Sequence, residues 1–163
     1  MSILQRRRSD ELGLTLIELM VVVLIIGILL AIAVPTFLSA QENAKTKAAT
    51  TNLRAALGAI KTVYADKQSY AFERTDLAAA EPSIDWGAAD GAAIAASDGP
   101  QKIAWTNDTT TMTLASKSKP GICFWVREDI STGTSYSRAA TAGGCDPAVM
   151  GGSPTTSADA WND

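Results

Sequence analysis

The chain has 163 residues, with 14 Lys and Arg against 17 Asp and Glu, two Cys and no His. That length allows one modest domain, and a net charge of −3 excludes a basic nucleic-acid binder by bulk charge. With no His, the commonest general base and metal ligand are missing, so no catalytic residue, metal site or cofactor is expected.

A mean hydropathy near zero conceals two unlike parts. Of 46 large apolar residues, 18 fall between Leu14 and Leu38, and only 24 serve the 125 residues from Ser39 onward. Leu19 to Val34 reads LMVVVLIIGILLAIAV, with no charge, and as a helix about twenty such residues span roughly 30 Å of hydrocarbon. Arg6, Arg7 and Arg8 precede the run and no comparable basic cluster follows, which predicts a cytoplasmic N-terminus and an exported remainder. A cleaved secretory signal shares this outline, but the run is longer than a usual signal core, a carboxylate interrupts its start, and its end at Pro35 lacks a convincing small-x-small cleavage site. A plain signal anchor leaves Glu18 without purpose. A carboxylate in hydrocarbon costs a few kcal/mol at least and needs a partner, yet no Lys or Arg occurs between Arg8 and Lys45.

Gly13-Leu14-Thr15-Leu16-Ile17-Glu18-Leu19, followed by MVVVLIIGILLAIAVP, resembles the N-terminus of type IV pilins and their relatives. The resemblance implies a short leader, residues 1–13, cut by a membrane prepilin peptidase between Gly13 and Leu14. It also implies N-methylation of Leu14, which stands where Phe is commonest in the family. Assembly would then involve Thr15, Glu18, Gly27 and Pro35, with Glu18 facing the new amino terminus of a neighbouring subunit. A helix added at the wrong height would leave that charge uncompensated, at a cost of about 3 to 5 kcal/mol. A Glu snorkelling to the cytoplasmic interface is the plainer alternative. Gly27 and Pro35 weaken the helix between them, by about 1 and about 3 kcal/mol. Two behaviours fit: a Pro kink throughout, or a segment helical in the membrane and unwound in a fibre.

Past Pro35 the helix continues as an amphipathic half, residues 39–67. Leu53, Ala56, Leu57, Ile60, Val63 and Tyr64 form one stripe, with Lys47, Arg54, Lys61 and Lys67 on wetter faces. An ordinary juxtamembrane helix would show the same pattern. Residues 68–101 read as a connecting loop with a helical turn near Thr75 to Ala80. Strands are predicted at Lys102 to Thr106, Thr110 to Ala115, Ile122 to Arg127 and Thr134 to Ala139, in an antiparallel meander with turn residues between them. The fold class is α+β. By resemblance it is the pilin fold, a long N-terminal helix packed on a roughly four-stranded antiparallel sheet, residues 102–140, with a terminal loop, residues 141–163.

Cys123 and Cys145, on the exported side, favour a disulfide that closes this loop, as many pilins do. Trp86, Trp105, Trp125 and Trp161 read either as core and subunit-contact residues or as a stacking surface for sugars. Asn107 opens an N-x-T glycosylation pattern, which is a frequent accident. The exported part carries 11 basic and 14 acidic residues and no stripe for nucleic acid.

The expected role is therefore a structural subunit, not an enzyme. It is stored as a single-pass cytoplasmic membrane protein, 14–38 being the membrane and assembly segment and 68–163 the head, and then polymerises with identical subunits into an extracellular filament. Its partners would be those subunits, the prepilin peptidase, the pilus assembly machinery and, before assembly, the membrane. A pseudopilin of a type II secretion or DNA-uptake system is the alternative within the family. A membrane-anchored glycan-binding module is the alternative outside it.

Overall fold

A computed structural model of the chain describes residues 15–87, 100–118, 121–141 and 143–161. The chain divides into a unit that ends at Ser39 and a second unit that begins at Ala40. Helix α1, Leu16–Lys67, supplies the described part of the first and the opening element of the second. In the first unit no side chain of α1 is covered. The large apolar residues from Leu16 to Leu38 are 49% to 76% exposed.

In the second unit α1 acquires a buried stripe. Leu53, Ala56, Ile60 and Val63 are buried, Ala49 and Ala59 fill the gaps between larger neighbours, and Leu57 and Tyr64 pack at the margin. The stripe lies on one face of a five-stranded sheet of order β1-β2-β3-β4-β5. Strand β1, Asp85–Trp86, runs parallel to β2, Lys102–Asn107. Strands β3, Thr111–Lys117, β4, Ile122–Asp129, and β5, Gly133–Ala140, follow as an antiparallel meander. Alternation puts Ile103, Trp105, Met112, Leu114, Phe124 and Val126 against the helix, each worth about 1.5 to 3 kcal/mol when fully buried.

The four antiparallel strands lie where the alternating pattern places them, and the fifth corrects the expected four-stranded sheet. It exists because the connecting region is tied down. Helix α2, Arg74–Ala80, opens with a reciprocal capping box between Glu73 and Asp76, and Asp76 also meets Lys67 at 2.6 Å. Trp86 is buried with its indole N–H donating to the Glu81 carbonyl, 3.0 Å, and Gly87 donates to the Ile103 carbonyl, 2.8 Å. These contacts hold the short strand on the edge of β2.

The other sheet face carries Ala104, Ala115, Cys123 and Trp125, and the terminal segment covers it. Cys123 and Cys145 are joined by a disulfide with their Cα atoms 5.5 Å apart. The buried Lys117 ammonium donates to the Gly143 carbonyl, and the Trp125 indole N–H to the Asp146 carbonyl, 2.7 Å. A side chain at Gly151 would collide with the Trp125 ring, 2.9 Å away. Beyond this the segment turns the edge of β5. Thr155 and Tyr136 exchange backbone hydrogen bonds of 2.7 and 2.8 Å, and Trp161 returns to the helix side, its N–H on the Ser137 carbonyl and its ring edge-on to Phe124 and Tyr136.

Two consequences are measurable. Closing a 22-residue separation is worth about 3 kcal/mol on a chain-entropy estimate. Reducing agent should therefore lower the melting temperature of a soluble fragment of residues 40–163 by roughly 10 °C in calorimetry. In the β2–β3 turn, Asp108 accepts from the backbone N–H and hydroxyl groups of Thr110 and Thr111, which lowers its pKa from 3.8 to about 2. The folded value lies below the unfolded one, so this stabilisation is complete above about pH 4 and is lost as pH falls toward about 2. Asp108→Asn should flatten the acid limb of the stability curve across that window, as read by urea midpoints.

Candidate assembly site

The first turn of α1 is closed by its own side chains. Thr15 stands outside the helix as its cap, and its backbone N–H and hydroxyl both donate to one Glu18 oxygen, at 2.9 and 2.6 Å. The Glu18 N–H returns a 3.3 Å bond to the Thr15 hydroxyl. This is the reciprocal T-x-x-E box, and it also sets a carboxylate at the positive end of the helix dipole. Glu18 is thus partnered by the residue that caps its own helix. Gly13 and Leu14, the expected cleavage pair, lie outside the described residues, as do Arg6 to Arg8.

Gly27 and Pro35 fall inside continuous helix. A Cβ built at Gly27 would meet nothing within 4 Å, so no contact inside the chain requires glycine there. Pro35 has no N–H to give, and the turn before it is serviced by Thr36, whose hydroxyl donates to the Ile32 and Ala33 carbonyls at 3.2 and 2.9 Å. Thr36 was not singled out from the sequence. A hydroxyl residue directly after a helical Pro is the signal that points to it.

The remaining candidates resolve in the head. All four Trp are buried, at 0% to 4% exposure, and each indole N–H has a backbone acceptor: Glu81, Gly87, Asp146 and Ser137 for Trp86, Trp105, Trp125 and Trp161. They anchor the fold and offer no stacking platform to a sugar. The Asn107 side-chain amide donates to the Tyr70 and Phe72 carbonyls, 2.6 and 3.0 Å, so a glycan on that nitrogen would displace at least one of these bonds. Among the described residues no three Cys, Asp or Glu side chains gather as a metal site.

Loss of the Thr15 hydroxyl should cost the first turn about 0.5 to 2 kcal/mol, typical of a lost cap. Hydrogen exchange on Thr15→Ala in detergent micelles should show faster exchange at the amides of Ile17 to Leu19 and unchanged protection in the head.

The model of the prokaryotic N-terminal methylation motif matches residues 8–34. The chain is 52% identical over 58 residues to the type IV major pilin protein PilA of Myxococcus xanthus, a stretch covering 36% of this chain and 26% of that protein. It is 39% identical over 64 residues to the type II secretion system core protein G of Pseudomonas aeruginosa, covering 39% of this chain and 45% of that one. The chain thus spans less than half the length of either relative. No solved structure gives a significant match. The type IV narrow pilus major component PilA5 of Thermus thermophilus is matched much more fully, at 32% identity over 109 residues, 66% of this chain and 89% of the relative. A likeness that runs through almost the whole of a pilin, joined to the motif at residues 8–34 and to a long helix on a sheet with a disulfide-closed terminal loop, makes this chain a member of the type IV pilin family.

Proposed function

We propose that the chain is the structural subunit of an extracellular type IV pilus-like filament, made as a membrane-stored precursor and polymerised through the apolar half of α1. The observation that carries this reading is the uncovered surface from Leu16 to Leu38, which no part of the described chain buries and which directly follows the capped Thr15 and Glu18. At about 1.5 to 3 kcal/mol for each large apolar side chain removed from water, such a surface must be covered by lipid or by other copies. One helix is long and apolar enough to cross a membrane, which supplies the first cover. A bundle of identical helices supplies the second.

The processing steps belong to the same proposal. Cleavage after Gly13 by a prepilin peptidase creates an α-amino group at Leu14, which is then methylated. In the bundle this cation sits against Glu18 of a neighbouring subunit, and the ion pair fixes the height at which each helix enters. Gly27 to Pro35 is the stretch able to unwind in the fibre, where neighbours can bury its carbonyls. The role is structural, and the precursor faces the cytoplasm with its N-terminus. The match to protein G of a type II secretion system favours a second reading, a pseudopilin whose filament remains below the surface.

Intact mass and N-terminal sequencing of material sheared from native cells test this reading. A chain starting at Leu14, with one added methyl, recovered in filaments supports the pilus subunit. The same processed chain found only in the cell envelope supports the pseudopilin, and a chain that keeps Met1 overturns both. Glu18→Ala should leave processing intact and reduce filament yield by at least about tenfold, the scale set by one unpaired buried charge.

A further inference from the structure

Along α1 in the head runs a groove of about 410 Å3, bordered by Asn43, Thr46, Lys47, Thr50, Arg54 and the edge of Trp161. Lys47, Thr50 and Arg54 fall at i, i+3 and i+7, on one stripe of the helix. The Thr50 hydroxyl is spent on the Thr46 and Lys47 carbonyls, which leaves two cations as the strong polar groups facing the groove. The Arg54 guanidinium stands 5.5 Å from the centre of the Trp161 ring. Among the described residues no carboxylate lies within ion-pair distance of either cation. The groove is therefore an aromatic wall flanked by two uncompensated positive charges.

The opposite end of the head has the complementary character. The β2–β3 and β4–β5 turns lie side by side there, joined by the Ile130 N–H on the Thr110 carbonyl at 3.1 Å. Asp108 heads one turn and Asp129 the other; the N–H and hydroxyl groups of Thr110 and Thr111 hold the first carboxyl below the usual range, and the Ser131 hydroxyl with the Ser131 and Thr132 N–H groups hold the second there. Ile130 projects between them, 54% exposed; it and Val149 are the large apolar side chains that the second unit leaves open among the described residues. Lys61 on Glu128 and the Tyr70 N–H on the Thr109 carbonyl place these turns at the last turns of α1. Asn52 on the Pro100 carbonyl places the groove at the other ends of the strands. From Lys47 to Tyr64 the helix rises about 25 Å.

We propose that the groove of one subunit receives the paired turns of a second copy of this chain, with Asp108 and Asp129 against Lys47 and Arg54, and Ile130 at the rim of the groove. Donor and acceptor surfaces sit at opposite ends of one head, so the contact is heterologous, and where its rotation does not close it has the symmetry a filament needs. Opposed charges set register and exclude wrong approaches. The inference rests on the filament reading and adds to it a contact between heads that is separate from the helix bundle.

The test uses the full-length chain in native cells. Lys47 is exposed and can be reversed without touching the core, and Ile130→Lys adds a cation to the turns while leaving both Asp caps in place. Lys47→Glu alone and Ile130→Lys alone should each lower sheared filament yield about tenfold at unchanged cellular level and processed mass, the scale of like charges brought together. The double variant should exceed both singles, because the new Glu and Lys face each other. In parallel, Thr46→Cys with Ile130→Cys should give an oxidation-dependent ladder of covalent multimers in sheared filaments, as a non-closing contact requires. If the Cys pair prevents assembly, the charge cycle decides by itself. Independent, additive losses, or a crosslink made only to another protein, overturn this interface while wild-type filaments keep the pilus reading intact. Absence of wild-type filaments overturns the pilus reading itself.

Discussion

Everything in this molecule follows from an apolar helical surface that its own chain does not cover. The 24 large apolar residues left after Leu38 are enough for one thin core, and the head spends nearly all of them on itself. Among the described residues nothing covers Leu16 to Leu38. The first unit leaves its apolar side chains open, and the second is built around a core of its own. That division, more than any single residue, is what the filament proposal rests on. The capped Thr15 and Glu18 sit at the far end of the same surface, where the Thr15 N–H and hydroxyl both hold the Glu18 carboxylate.

The head compensates for its thin core with anchored indoles and a wrapped terminus. Each Trp combines a large buried surface with one satisfied N–H, so each fixes two segments at once: Trp86 and Trp105 hold the connecting region, and Trp125 and Trp161 hold the terminal segment. The terminal segment covers the outer sheet face, pairs once with the edge strand at Tyr136, and ends against the helix. An exposed edge strand is a template for unwanted pairing. Covering β5 with the chain's own terminus removes part of it. The disulfide holds the beginning of this wrap and Trp161 the end.

What could be read from the sequence depended on whether a periodic pattern or a fixed chemical type carried the information. The stripe from Leu53 to Val63 was legible because the helical period survives burial, and the four antiparallel strands because turn residues such as Asn107-Asp108 and Gly133 bound alternating runs. Two cysteines permit one pairing. The fifth strand was not legible, since Asp85–Trp86 is too short to alternate and owes its place to a Trp N–H and to one backbone bond from Gly87. The path of the terminal segment was hidden for a similar reason: Gly151 is needed because a ring from a distant strand lies against it. The Trp residues were ambiguous because an aromatic side chain announces area without saying whether that area faces inward. At the helix start the residues Thr15 and Glu18 were singled out for assembly, whereas their mutual capping emerged only from the geometry.

The placement of weak points along α1 completes the physical picture. Helical structure is stabilised mainly by tertiary packing, and in α1 that packing begins at Ala49, the first buried residue. Lys61 on Glu128 and on the Thr134 hydroxyl, and Lys67 on Asp76, secure the helix further along. Gly27 and Pro35 both precede this anchored stretch, in a segment held by helical hydrogen bonds and by the Thr36 hydroxyl alone. The cost of opening the helix there is therefore confined to a few backbone bonds, and no core contact of the head is lost with them. The residues that weaken the helix and the residues that bind it to the sheet therefore do not overlap.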